Sequence, residues 1–220
     1  MRNWSLMQMS TDIVWPALLA TLKMLSISAI LACIIGFFLS VILIITAERG
    51  FKPNRMIHSS LSFVINLIRS LPFLILMVCL IPFTRMLVGS SVGQTAAIVP
   101  LTIVAAPFFA RVFEGGFNEV DFSLVEAAQS FGASKVQIIF LVMLPEAIPA
   151  FVAGVCLGVI SLLGETTMAG AIGAGGLGAV AITYGYQNFN DRIMYLTVVV
   201  LIILVQIIQF IGDFLYNKLK

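Results

Sequence analysis

The chain has 220 residues, 60% of them hydrophobic and only 10% charged, with a net charge of +2 and a mean hydropathy of +1.11. Soluble domains carry about 25% charged residues, so a water-solvated surface is excluded for most of the chain, and so small a net charge gives no footing for nucleic acid. Lipid permits helices or closed barrels to span, and apolar stretches that are continuous rather than alternating select helices.

A spanning helix needs about 20 mostly apolar residues. Five segments meet this: 17–47, 61–83, 93–112, 148–164 and 193–215. Trp4 and Trp15 precede the first and suit an interfacial anchor. That first run far exceeds the apolar core of about 7–15 residues in a cleavable signal, so it is expected to stay as a helix. Arg49, Lys52 and Arg55 follow it. His58, the single histidine, reads as a surface or lipid-headgroup contact. The second span carries Arg69 near its start and ends just before Arg85, so both are placed to snorkel towards opposite interfaces. Pro72, Pro82, Pro100 and Pro107 lie in or near spans, so neighbouring helices must satisfy the carbonyls they free; a packed bundle follows. Cys33, Cys79 and Cys156 sit singly in apolar runs and read as packing residues.

Basic residues set the orientation. Arg49, Lys52, Arg55, Arg111, Lys135, Lys218 and Lys220 fall on one side; Arg2, Lys23, Arg85 and Arg192 fall on the other. The bias places the N-terminus outside and the C-terminus inside, which five spans allow. The expected fold is an all-α integral membrane protein, residues 1–220 forming one transmembrane domain.

The longest polar interruption runs from about Glu114 to Glu146. Glu126-Ala127-Ala128 is a good helix former with small side chains, and Gly132 supplies a turn. Val136, Ile139, Phe140 and Met143 recur at helical spacing before Leu144-Pro145. Helix, turn and helix are expected.

Glu126, Ala127, Ala128, Gly132, Leu144 and Pro145 stand at the spacing of the signature segment of bacterial ABC importer permeases, with Val142 where that family has Ile. The chain resembles that family over nearly its whole length. Arg69-Ser70-Leu71-Pro72-Phe73, residues 81–85, 96–101 and 106–108, and the glycine run 170–178 are similar to its methionine-uptake branch, and osmoprotectant-type members share similar glycine runs. The resemblance implies a type I importer fold in the bacterial cytoplasmic membrane, acting by alternating access. It also implies a homodimer, two separate ATPase subunits that bind ATP and Mg, and an extracytoplasmic binding protein delivering methionine. The six signature residues would form the contact that couples the ATPase to transport. This chain has no Gly-x-x-x-x-Gly-Lys-Ser/Thr loop of its own, and no catalytic, cofactor-binding or metal residue is assigned. An osmoprotectant as cargo stays open, and so does an ion-coupled secondary carrier, although no repeated halves with paired broken helices are visible.

Three further features stand out. Residues 173–178 match G-x-G-x-x-G, but they follow a membrane helix rather than a strand, so an outer connection or a gating hinge at Gly170 is expected instead of a nucleotide site. Ala150, Gly154, Gly158 and Ser161 form one small-residue stripe leading to Glu165, suited to close packing within a subunit or across a dimer axis. Glu165 is expected to face protein or a polar cavity, and it departs from the neutral residue usual there in the methionine branch. Met168 is a candidate plug at a subunit interface, with simple core filling as the alternative.

Overall fold

Helices carry most of the chain in the computed structural model, which describes residues 10–48 and 50–219. Arg2, Trp4, Arg49 and Lys220 lie outside the described residues.

A π-helical turn at Ser10–Val14 leads into α1, Trp15–Thr46. Pro16 falls in its first turn, where the missing N–H would have no helical partner anyway. Its 32 residues reach roughly 48 Å at 1.5 Å per residue, longer than the hydrocarbon core. Helix α2, Arg55–Ser70, is capped by Asn54, whose side chain accepts from Ile57 N at 3.1 Å. His58 is half-buried, and its Nδ1 lies 3.2 Å from the Leu43 carbonyl, tying α2 to α1.

The span expected over 61–83 is not one helix. Leu71 is extended (φ −86°, ψ 133°) because the ring of Pro72 bars it from helical geometry. The next helix, α3 (Phe73–Cys79), leaves α2 at 107°, and α4 (Ile81–Val88) closes on the left-handed Gly89. Among the described residues four helical runs are long and apolar enough to cross a membrane, and the bent α2–α3 pair makes a fifth when counted as a broken span.

Helix α5, Gln94–Asn118, continues through Pro100 and Pro107, both buried. It also passes the expected end at 112, because Arg111 and Glu114 join as an ion pair of 2.6 Å one turn apart. Arg111 Nη2 further donates to Asn66 Oδ1 of α2 at 3.1 Å.

After α6, Phe122–Ser130, the chain re-enters helix at Lys135–Gln137 under a capping box from Ser134. It widens to π geometry over Ile138–Met143 and becomes α7, Leu144–Ala169. A last wide turn, Gly170–Ala174, leaves helical geometry at Ile172 and Gly173. Helix α8, Gly176–Val180, runs on as a π-helical Ala181–Gln187, and α9, Asp191–Leu219, completes the chain.

The centre of the bundle is α5, packed between α1 and α7. Phe37 of α1 meets Phe113 edge-on at 5.9 Å, while Phe151 of α7 meets Phe113 at 4.8 Å and Phe117 at 5.0 Å. Gly36 brings the backbones of α1 and α5 together: a Cβ there would lie 2.8 Å from Ala110 N and 2.9 Å from Ala106 O. Cys156 packs against Gly212 of α9, as a small filling residue does.

Candidate functional site

The segment from Glu126 to Pro145 folds as helix, turn and helix. Asp121 caps α6 by accepting from Ser123 N at 2.9 Å, and this hydrogen bond holds its carboxyl below the usual range. Gly132 takes φ +80°, a left-handed conformation that favours glycine, and Ala133 N bonds back to Ala128 O at 3.1 Å. Glu126, Ala127, Gly132 and Pro145 are exposed, whereas Ala128 and Leu144 are half-buried and pack on the core. The signature is thus split between an outward face and inward anchors. Of the apolar residues at helical spacing, Ile139 and Met143 are buried, while Val136 and Phe140 are exposed.

The outward face has a feature that the motif spacing did not single out. Phe131, between the two helices, is 91% exposed. An aromatic flanked by Ser130 and Gly132 in a polar loop was the available signal. Behind this face, Lys135 Nζ donates to the Phe51 carbonyl, fastening the turn to the loop after α1. A cavity of about 480 Å³ lies between them, lined by Phe51, Phe117, Val125 and Gln129 among others.

The small-residue stripe of α7 faces α5 of the same chain along most of its length. A Cβ at Gly154 would strike the Val112 side chain, and one at Gly158 would strike the rings of Phe108 and Phe109. Ala150 lies opposite Gly116. Ser161 is exposed, and Glu165 is half-buried with its Oε2 enclosed and unpartnered. Both line a cavity of about 260 Å³ that also takes in Arg69, Phe73 and Phe108.

The glycine run is tightly packed at Gly170, Gly176 and Gly178, while Ala171, Ile172 and Gly173 are exposed. A Cβ at Gly170 would lie 2.5 Å from Ala179 N and 2.9 Å from Gly175 O, so the end of α7 crosses the start of α8 at backbone contact. Gly93 N donates to Gly173 O at 3.1 Å, and Leu177 N donates to Thr21 Oγ1 at 2.9 Å, joining the run to the start of α5 and to α1. Met168, two residues before Gly170, is 48% exposed. Among the described residues no group of three His, Cys, Asp or Glu side chains is placed to hold a metal.

Residues 40–220 match the family model described as binding-protein-dependent transport system inner membrane component. The chain is 47% identical over 210 residues to a probable D-methionine transport system permease protein of Vibrio cholerae, covering 96% of this chain and 93% of that one. It is 43% identical over 176 residues to a methionine import system permease protein of Bacillus subtilis, with 80% and 79% covered. A solved structure titled as an inward-facing conformation of the MetNI methionine ABC transporter superimposes with a TM-score of 0.92 at 40% identity, covering 98% of each chain. A crystal structure of an amino acid ABC transporter with histidines shares the fold at a TM-score of 0.79 and 20% identity.

Proposed function

Because the chain belongs to the family of binding-protein-dependent transport system inner membrane components, we propose that it is the permease subunit of an ATP-driven importer of methionine. The observation that carries this reading is the near full-length likeness to methionine permeases, to which the exposed helix end and turn at Glu126–Gly132 add a docking face. Two copies of the chain form the pathway, two separate ATPase chains hold ATP and Mg, and an extracytoplasmic binding protein delivers cargo. Residues 126–145 face the cytoplasm, with the N-terminus outside.

In this reading Glu126, Ala127, Phe131 and Gly132 seat in the ATPase. Ala128, Leu144 and Pro145 transmit its movement, since Leu144 anchors the base of α7 in the core. Tilting α7 moves Met168, which meets its copy across the dimer axis and closes the path, while Gly170 fixes the end of that lever against α8.

The test is uptake of radiolabelled methionine into proteoliposomes holding the complete transporter and its binding protein. Glu126→Ala and Gly132→Asp are expected to abolish most ATP-dependent uptake; truncating one side of a desolvated charge pair costs about 2–5 kcal/mol. Unchanged uptake in both variants removes the coupling assignment. Uptake of a quaternary-ammonium osmoprotectant in place of methionine removes the cargo. Disulfide cross-linking between copies of Met168→Cys should change with nucleotide, and no proximity in any state removes the plug.

A further inference from the structure

The 260 Å³ cavity lies where the α2–α3 bend, α5 and α7 meet. Its walls hold two groups of opposite charge from different helices, Arg69 at the end of α2 and Glu165 near the end of α7. They do not reach ion-pair distance of each other. Glu165 Oε2 is enclosed without a hydrogen-bond partner, which costs free energy unless something joins it. Arg69 and Ser161 are exposed and mark the mouth, while Phe73 and Leu162 are buried and, with Phe108, supply an apolar wall. Ionisable side chains inside a membrane bundle characteristically mark solute pathways.

The walls constrain the occupant. An anion alone would pair with Arg69 and leave Glu165 unsatisfied, and a cation alone would do the reverse. A neutral apolar solute would satisfy neither. A zwitterion satisfies both and brings no net charge into the cavity. The guanidinium offers a planar fork that matches a carboxylate. The volume falls just under the range of about 300–1,000 Å³ of ordinary small-molecule pockets, so the solute is small. The two rings suit an apolar side chain, a thioether included.

We propose that this cavity is an intramembrane binding site for a zwitterionic α-amino acid with an apolar side chain, Arg69 taking its carboxylate and Glu165 its ammonium. The proposal rests on the reading that an amino acid crosses this subunit. It adds a selective station within the permease, separate from whatever the binding protein selects.

The experiment measures binding of radiolabelled methionine to the purified permease–ATPase complex without binding protein, by scintillation proximity. Competitors are the 2-hydroxy analogue, which lacks the ammonium, and methioninol, which lacks the carboxylate. The parent complex should bind methionine at least tenfold more tightly than either. Glu165→Gln should weaken methionine at least tenfold and leave the 2-hydroxy analogue unchanged; Arg69→Gln should do the same with methioninol as the indifferent ligand. A variant that merely misfolds would lose every ligand alike, so the matched indifference is the discriminating result.

Equal loss of all ligands in both variants overturns the site. So does unchanged methionine binding in both. Binding-protein-driven methionine uptake by the parent tests the cargo reading separately: uptake with no direct binding sinks the site and leaves the cargo standing.

Discussion

Replacing Gly36 by Val probes the contact between α1 and α5 on which the bundle centre depends. The first added carbon would sit 2.8 Å from Ala110 N and Phe109 Cβ and 2.9 Å from Ala106 O. Unbonded carbons settle at about 3.5–4.0 Å, so the helices must part by roughly 0.7 Å before the two methyl groups are counted. Two of these three neighbours are backbone atoms, which cannot swing away as a side-chain tip would. Overpacking of this kind costs about 1–3 kcal/mol, and Val recovers only a few tenths over Gly in helix propensity. At about 2–4 °C per kcal/mol for a chain of this size, the unfolding temperature should fall by roughly 2–12 °C. The assay heats the purified complex in detergent and measures the fraction that stays monodisperse on size exclusion. Gly115→Ala is the control, since a Cβ there meets nothing within 4 Å and should leave the midpoint unchanged or slightly raised. A Gly36→Val midpoint within about 1 °C of the parent would refute the argument.

Thr21→Val removes the acceptor for Leu177 N, buried on both sides, and should cost about 1–3 kcal/mol in the same heating assay; an unmoved midpoint would show that the bond contributes nothing. Phe131→Ala should leave thermal stability unchanged because the ring is exposed, while weakening association with the ATPase roughly tenfold or more, as read by titration of the two purified components. For Asp121, the hydrogen bond from Ser123 lowers the folded-state pKa, so the ionised cap stabilises α6 above the unfolded carboxylate value. That contribution is lost as pH falls through the lower folded value. Between pH 5 and pH 8 (roughly one to four units above an ordinary Asp) Asp121→Asn should therefore keep α6 and Asp121→Ala should fray it, as read by amide exchange at Ser123.

Much of this arrangement was legible in the chain because lipid restricts the options. Continuous apolar runs at 17–47, 93–112, 148–164 and 193–215 each fall within a long helix, displaced at the ends. The run at 61–83 misled because composition is blind to the difference between Pro72 and Pro100. Both lie in apolar sequence, yet α5 is clasped by α1 and α7 and holds its course, whereas Leu71 is 40% exposed and gives way. The outward residues Glu126, Ala127 and Gly132 could be named from spacing, since a turn glycine between helices is a local signal. Phe131 could not, because what distinguishes it is the absence of anything covering it. Arg69 and Glu165 line one cavity beside the bend at Pro72, and no periodicity within either helix encodes this.

The link between Thr21 and Leu177 also bears on how the chain is made. The two residues are 156 positions apart, so at about 5–20 residues per second α1 waits roughly 8–31 s in the bilayer before its partner is synthesised. Through that interval the Thr21 hydroxyl is already satisfied, because it donates to Ala17 O within its own helix at 3.0 Å. The helix can therefore enter lipid alone without a stranded polar group, holding its lone pair in reserve. The glycine run has no such provision, and the N–H of Leu177 gains its acceptor when it reaches α1. The first helix thus serves as the template on which the turn at Leu177 is finished.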